Sequence, residues 1–177
     1  MAEKWELYDK DRQRTGVVIN RGEEVPKGYF HTVVHICIFN QQGQMLIQQR
    51  QPFKESWSNL WDVTVGGSAV MGDTSRQAAE REVFEELGLK IDLSNQTPTF
   101  TFRFSFGFDD VYVITEDVDI HSLHLQYEEV KQVAWATKQQ IFDMIDDGRF
   151  IDYHKSFIEI IFNLHETKDI HTSFARK

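Results

Sequence analysis

Cysteine is nearly missing from this 177-residue chain: Cys37 stands alone. A lone cysteine cannot close an internal disulfide, and it excludes a zinc site built from several thiolates. Proline is scarce as well, with Pro26, Pro52 and Pro98 the whole complement, none in a Pro/Gly/Ser-rich linker. No internal repeat, low-complexity tract or sharp shift of composition divides the sequence. One domain over residues 1–177 is therefore expected, with a short N-terminal β extension of about residues 1–28. No apolar run approaches the ~20 residues that cross a bilayer. The opening Met1-Ala2-Glu3-Lys4-Trp5-Glu6 is charged from its third residue and lacks the apolar stretch of a leader. The expectation is a cytoplasmic protein. Positive charge is also in deficit: 19 Lys and Arg face 28 Asp and Glu, for a net charge of −9. That imbalance argues against a groove for nucleic acid or an anionic membrane surface as partner.

What is present reads as a folded globule. Hydrophobic residues make up 41% and charged residues 27%, which is ordinary for a chain that builds a core. The first half reads mainly as short strands: residues 7–11 running into a polar turn, the β-branched run 16–20, the β-branched and aromatic run 31–39, and residues 45–50, with Asn40-Gln41-Gln42-Gly43 as a hairpin turn between the last two. Residues 61–65 form a further strand that ends at Gly66-Gly67. Residues 74–87 read as a helix. Asp73, Thr74 and Ser75 suit its N-terminus, Ala78, Ala79, Val83 and Leu87 form its apolar stripe, and Gly88 suits its left-handed end. Residues 99–115 read as two strands bent at residues 107–110, with Phe100, Phe102, Phe104 and Phe106 at a period of two pointing into a core. A strand over residues 130–136, a helix capped by Thr137 and a helix over about residues 152–166 complete an α+β or α/β pattern.

The stretch with chemistry in it is Gly66-Gly67 followed by residues 73–89. Glu82, Glu85 and Glu86 stand at i, i+3 and i+4. At about 100° per residue, Glu85 falls roughly 60° to one side of Glu82 and Glu86 roughly 40° to the other. Three like charges on one helical face destabilise the helix unless a cation binds there. A hard divalent ion, Mg²⁺ or Mn²⁺, suits carboxylate oxygens best. An E-x-x-E-E run by itself is more often a solvated face. Here it follows a strand, a Gly-Gly turn and a helix cap at fixed spacing.

That spacing resembles the signature of the Nudix hydrolase family, G-x5-E-x7-R-E-U-x-E-E-x-G-U, where U is a bulky aliphatic residue. Gly67, Arg81, Glu82, Val83, Glu85, Glu86, Gly88 and Leu89 stand in register, and Asp73 replaces the first glutamate. The resemblance implies an α/β fold, a Nudix-type α/β/α sandwich with a central mixed sheet and a loop–helix–loop metal site. It implies hydrolysis of a diphosphate linkage in a nucleoside diphosphate joined to a moiety X, with Mg²⁺ or Mn²⁺ as cofactor. Carried over residue by residue, Glu85 and Glu86 are metal ligands, Glu82 is a ligand or base, Gly66 offers a carbonyl ligand, and Asp73 and Arg81 support them. The partner implied is a small-molecule diphosphate, with a homodimer open because many relatives are dimers.

Outside the box, a further carboxylate is expected among Asp109, Asp110, Glu128 and Glu129. Arg50 is a candidate for a phosphate, and Trp57 and Trp61 for stacking on a base. His31 and His35, four apart on a strand, share a face. The segment from Asp9 to Trp61 also resembles isopentenyl-diphosphate isomerases. The catalytic cysteine of those enzymes falls at Gly66 and the following histidine at Ser68, so the isomerase is the lesser reading. A non-catalytic nucleotide-metabolite sensor is the third, disfavoured because all three box glutamates are kept.

Overall fold

A computed structural model describes residues 3–167. The fold is α/β, with a mixed central sheet and three helices. Its strands are β1 (Lys4–Tyr8), β2 (Arg14–Asn20), β3 (His31–Phe39), β4 (Met45–Arg50), β5 (Trp61–Asp62), β6 (Val65–Ser68), β7 (Phe100–Phe104), β8 (Gly107–Thr115) and β9 (Val130–Ala136). The helices are α1 (Ser75–Leu87), α2 (Lys138–Asp146) and α3 (Lys155–Thr167). β1 and β2 form a separate hairpin. The other seven strands make one sheet in the order β5-β4-β3-β8-β7, with β6 on β3 and β9 on β4. Among the described residues no helix is long and apolar enough to cross a membrane.

The chain divides into two compact units, one of Met1–Ile36 with Val65–Tyr112 and one of Cys37–Thr64 with Val113–Lys177. In the first, β1 pairs antiparallel with β2, Lys4 opposite Asn20 and Tyr8 opposite Arg14. Tyr8 then exchanges backbone hydrogen bonds with Phe30, leading the chain into β3. β3 pairs with β6, setting His35 opposite Gly66 and Val34 opposite Gly67. β7 pairs with β8. Helix α1 begins with Thr74 as N-cap in a capping box with Gln77, and ends at Gly88 in the left-handed conformation, φ 66°.

In the second unit β4 lies between β5 and β9, with Met45 opposite Ala136 and Gln49 opposite both Trp61 and Gln132. Thr137 caps α2 through a capping box with Gln140. Helix α3 buries Ile158, Ile161, Phe162 and Leu164, and Phe39 meets Phe162 edge-on at 4.9 Å between ring centroids.

Three expectations from the sequence are corrected. The strand expected over residues 61–65 is split, and Gly66 and Gly67 lie inside β6 rather than ending a strand. The break falls at Thr64, whose buried hydroxyl accepts from Ile38 N and donates to Leu46 O, replacing a backbone ladder with side-chain bonds. The phenylalanine stripe is not core. Phe102, on the edge strand β7, and Phe106, in the turn after it, are half exposed. The expected bend at residues 107–110 falls two residues earlier, and Gly107 to Asp110 pair with β7.

Candidate active site

The residues of the box gather around one guanidinium. Arg81 Nε and Nη2 lie 3.2 and 3.0 Å from the same oxygen of Asp73, and Nη2 also donates to Ser68 O at 3.0 Å. Its Nη1 donates to Glu82 Oε1 at 3.0 Å and to Glu85 Oε2 at 3.1 Å. Helical spacing explains this, since residues 81 and 85 are one turn apart and residue 82 flanks them. Burial works against the Arg81 charge, and Glu82 and Asp73 outweigh it, holding the guanidinium firmly protonated.

Glu82 leans over β6. A Cβ at residue 67 would overlap its carboxyl, so only glycine leaves room for it there. Burial pushes the Glu82 carboxyl above the usual carboxylate range, and Arg81 pulls it part of the way back. Glu86 is buried beside Val83 and Leu87, with only 6% of its surface exposed, while Glu85 is half exposed. The shared face foreseen from the spacing therefore runs from the edge of the core out to water.

The donor chemistry fits a hard cation: three carboxylates with different access to water, one of them seated against a glycine. The three do not, however, converge in this structure. Among the described residues no group of three His, Cys, Asp or Glu side chains is arranged to hold a metal ion. Arg81 engages an oxygen of both Glu82 and Glu85.

β8 carries two neighbouring aspartates that face opposite ways. Asp109 meets His35 Nδ1 at 2.8 Å, and the His35 ring lies against Gly66, 3.2 Å from where a Cβ would stand. Asp110 is fully buried rather than placed in a solvated bend. Arg12 bonds both its oxygens, at 2.9 and 2.7 Å, and Thr101 donates to it at 2.6 Å. Burial alone would raise its pKa. The hydrogen bonds from Arg12, Thr101 and Ser75 hold it below the ordinary aspartate value instead. Both oxygens of Asp110, one of the candidates for the further carboxylate, are thus engaged by Arg12 and Thr101.

His31 and His35 do share a face, against Gly107 and Asp109 of β8. Buried His31 meets Trp5 at a tilt, 4.4 Å between ring centroids, and stacks with Phe106 at 5.9 Å, and no described group bonds either ring nitrogen. Desolvation lowers its pKa, which keeps it neutral.

Arg50, Trp61 and Glu129 belong to the second unit. The amide of Arg50 bonds Leu60 O, Trp61 exchanges backbone bonds with Arg149 and Ile151, and Glu129 pairs with Lys54 at 2.6 Å. Glu128 and Trp57 are exposed. Sequence reasoning missed Arg12, Arg14 and the His35–Asp109 pair, because their partners lie 59 to 98 residues away.

Residues 29–157 match the family described as the NUDIX domain. An uncharacterised Nudix hydrolase of Listeria innocua is 48% identical over 96% of this chain and 99% of its own length. An isopentenyl-diphosphate Delta-isomerase of Pectobacterium atrosepticum is 30% identical over 85% of this chain and 93% of its own. Among solved structures, the Deinococcus radiodurans protein DR0079 superposes with a TM-score of 0.71 at 26% identity, covering 91% of this chain and 98% of that one.

Proposed function

The chain belongs to the Nudix hydrolase family, and from that premise we propose that it hydrolyses the diphosphate linkage of a nucleoside diphosphate joined to a second moiety, with Mg²⁺ or Mn²⁺. The observation that carries this reading is the Arg81-centred set of Asp73, Glu82 and Glu85 above Gly67. Glu85, Glu86 and the Gly66 carbonyl would hold the metal, with Glu82 as a further ligand or as the base, and the ion would supply charge neutralisation at the diphosphate oxygens and acidification of a water. Asp73 orients Arg81, and Arg81 holds Glu82 and Glu85 in place. A small diphosphate is compatible with the net charge of −9, because metal inverts the local sign of the site. The substrate-bearing unit is a single Nudix domain preceded by the β extension of residues 1–28, placed in the cytoplasm.

The isomerase named among the relatives gives the second reading. Two features count against it. Residue 66 is glycine, and a Cβ there would already press on the His35 ring at 3.2 Å. Cys37, the one thiol, is fully buried.

The test is a chromatographic product screen, reading nucleoside monophosphate release and diphosphate isomerisation, over nucleoside diphosphate derivatives, nucleoside triphosphates and isopentenyl diphosphate, with each metal. A Glu85→Gln/Glu86→Gln double variant serves as control. Turnover of a nucleotide that needs metal and vanishes in the control is expected. Isomerisation of isopentenyl diphosphate, or tight nucleotide binding with no turnover under either metal, would overturn the reading.

A further inference from the structure

The family match begins at residue 29, yet the hairpin ahead of it grips the loop between β6 and α1. Met71 N donates to Lys4 O at 2.8 Å. Arg14 Nη2 donates to Asp73 O at 2.9 Å and lies 3.5 Å from Gly72 O. Its other terminal nitrogen pairs with Glu6 of the adjacent strand at 3.1 Å, so the guanidinium is braced between its own hairpin and the loop. At the hairpin turn, Arg12 reaches the buried Asp110.

The loop is in need of such support. Its main chain turns at Gly72 with φ +95°, and inside it Asp73 N donates to Val70 O while Val70 N donates to Asp73 Oδ2 at 3.3 Å. The residue Arg14 holds by the carbonyl is the residue whose carboxylate holds Arg81. Arg81 in turn holds Glu82 and Glu85. One chain of hydrogen bonds thus runs from β2 to the box glutamates.

We infer that the β1–β2 hairpin is a strap on the box loop, and that Arg14 is a positioning residue that fixes Asp73 and, through Arg81, the orientation of Glu82 and Glu85. A planar guanidinium suits this work because it spans a carboxylate on one side and a carbonyl on the other. The inference rests on the metal-site reading only for its consequence on metal affinity. The ordering of the loop stands apart from it.

The experiment compares the full-length chain with Arg14→Ala and Arg14→Lys. Amide hydrogen exchange of residues 69–74 is followed without metal, Mn²⁺ affinity is measured by titration, and kcat and KM are measured on the substrate found in the screen. Loss of one charge-assisted bond predicts loop exchange about tenfold faster in Arg14→Ala, with β3 and the C-terminal half of α1 unchanged. It also predicts Mn²⁺ binding about three- to tenfold weaker, and kcat reduced more than KM. Arg14→Lys, which keeps the positive charge but not the two-pronged fork, recovers part of each change. Wild-type loop exchange in Arg14→Ala overturns the inference, as does faster exchange spread evenly over the chain, or no recovery with lysine. If the wild-type protein binds no Mn²⁺, the metal reading fails, and loop exchange still decides the strap.

Discussion

Gly67 and Glu82 are packed so closely that a Cβ on the first would overlap the carboxyl of the second. A strand residue fifteen positions away in sequence therefore sets where a box glutamate sits. Gly67→Ala should displace that carboxyl and cost about 1–3 kcal/mol of stability, the usual range for overpacking. Mn²⁺ affinity should fall with it. Urea denaturation and metal titration on the same sample check both, and an unperturbed Mn²⁺ isotherm would sink the assignment of Glu82 as a ligand.

Glu86 offers a cleaner test of the chemistry because glutamine matches its shape in a buried setting. Glu86→Gln should lower metal-dependent hydrolysis by at least about a hundredfold while leaving the fold intact, as the loss of one preorganised charged group does. Steady-state kinetics and circular dichroism measure the two halves. Turnover near that of the wild type would remove the metal clamp.

Asp110 predicts an acid-sensitive step. Its folded-state pKa is held below the unfolded value, chiefly by Arg12 and Thr101 against the cost of burial. The stability it contributes is then fully present above about pH 4, the unfolded aspartate value, and is lost as pH falls through the lower folded value. Arg12→Ala leaves the buried carboxylate without its cation and should cost about 2–4 kcal/mol at pH 7, discounted for the partial exposure of Arg12. Denaturation midpoints taken from pH 3 to pH 7 should show a shallower acid limb in Asp110→Asn than in the wild type.

His31 predicts a second pH effect, with its own window. The aromatic enclosure lowers its pKa by desolvation, so the fold favours the neutral ring. Its contribution is fully present above about pH 6.5, the unfolded value, and falls away as pH drops through the lower folded one. His31→Phe should remove that dependence and match or exceed the wild-type melting temperature at pH 5.5, because no described group bonds the ring nitrogens it replaces. A drop in melting temperature at both pH 5.5 and pH 8 would count against the neutral-ring account.

Much of this was legible in the sequence wherever the signal is local. β3 and β9 follow from runs of β-branched and aromatic residues, β4 from the turn at residues 40–43 and its alternating faces, and α1 from Thr74, its apolar stripe and Gly88. The box carboxylates were legible too, through helical spacing. What the sequence hid depends on partners far along the chain. The alternation of Phe100 to Phe106 announces a strand, but only the sheet order shows it to be an edge with half-exposed rings. Asp109 and Asp110 look equivalent as neighbours. The pleat sends one to His35 and the other to Arg12. Gly66 and Gly67 read as a strand terminator because their pairing partners, His35 and Val34, lie 31 and 33 residues earlier.

The first compact unit is assembled from two stretches, Met1–Ile36 and Val65–Tyr112. During synthesis the N-terminal hairpin emerges early, yet its loop partners Met71 and Asp73 and its buried partner Asp110 are added much later. Its long-range contacts place it among slower-folding topologies. A nascent chain stopped before residue 110 would expose Arg12 without its carboxylate. A library of C-terminal truncations should therefore show no gradual gain of protection at the hairpin, but a single step once β8 has been made.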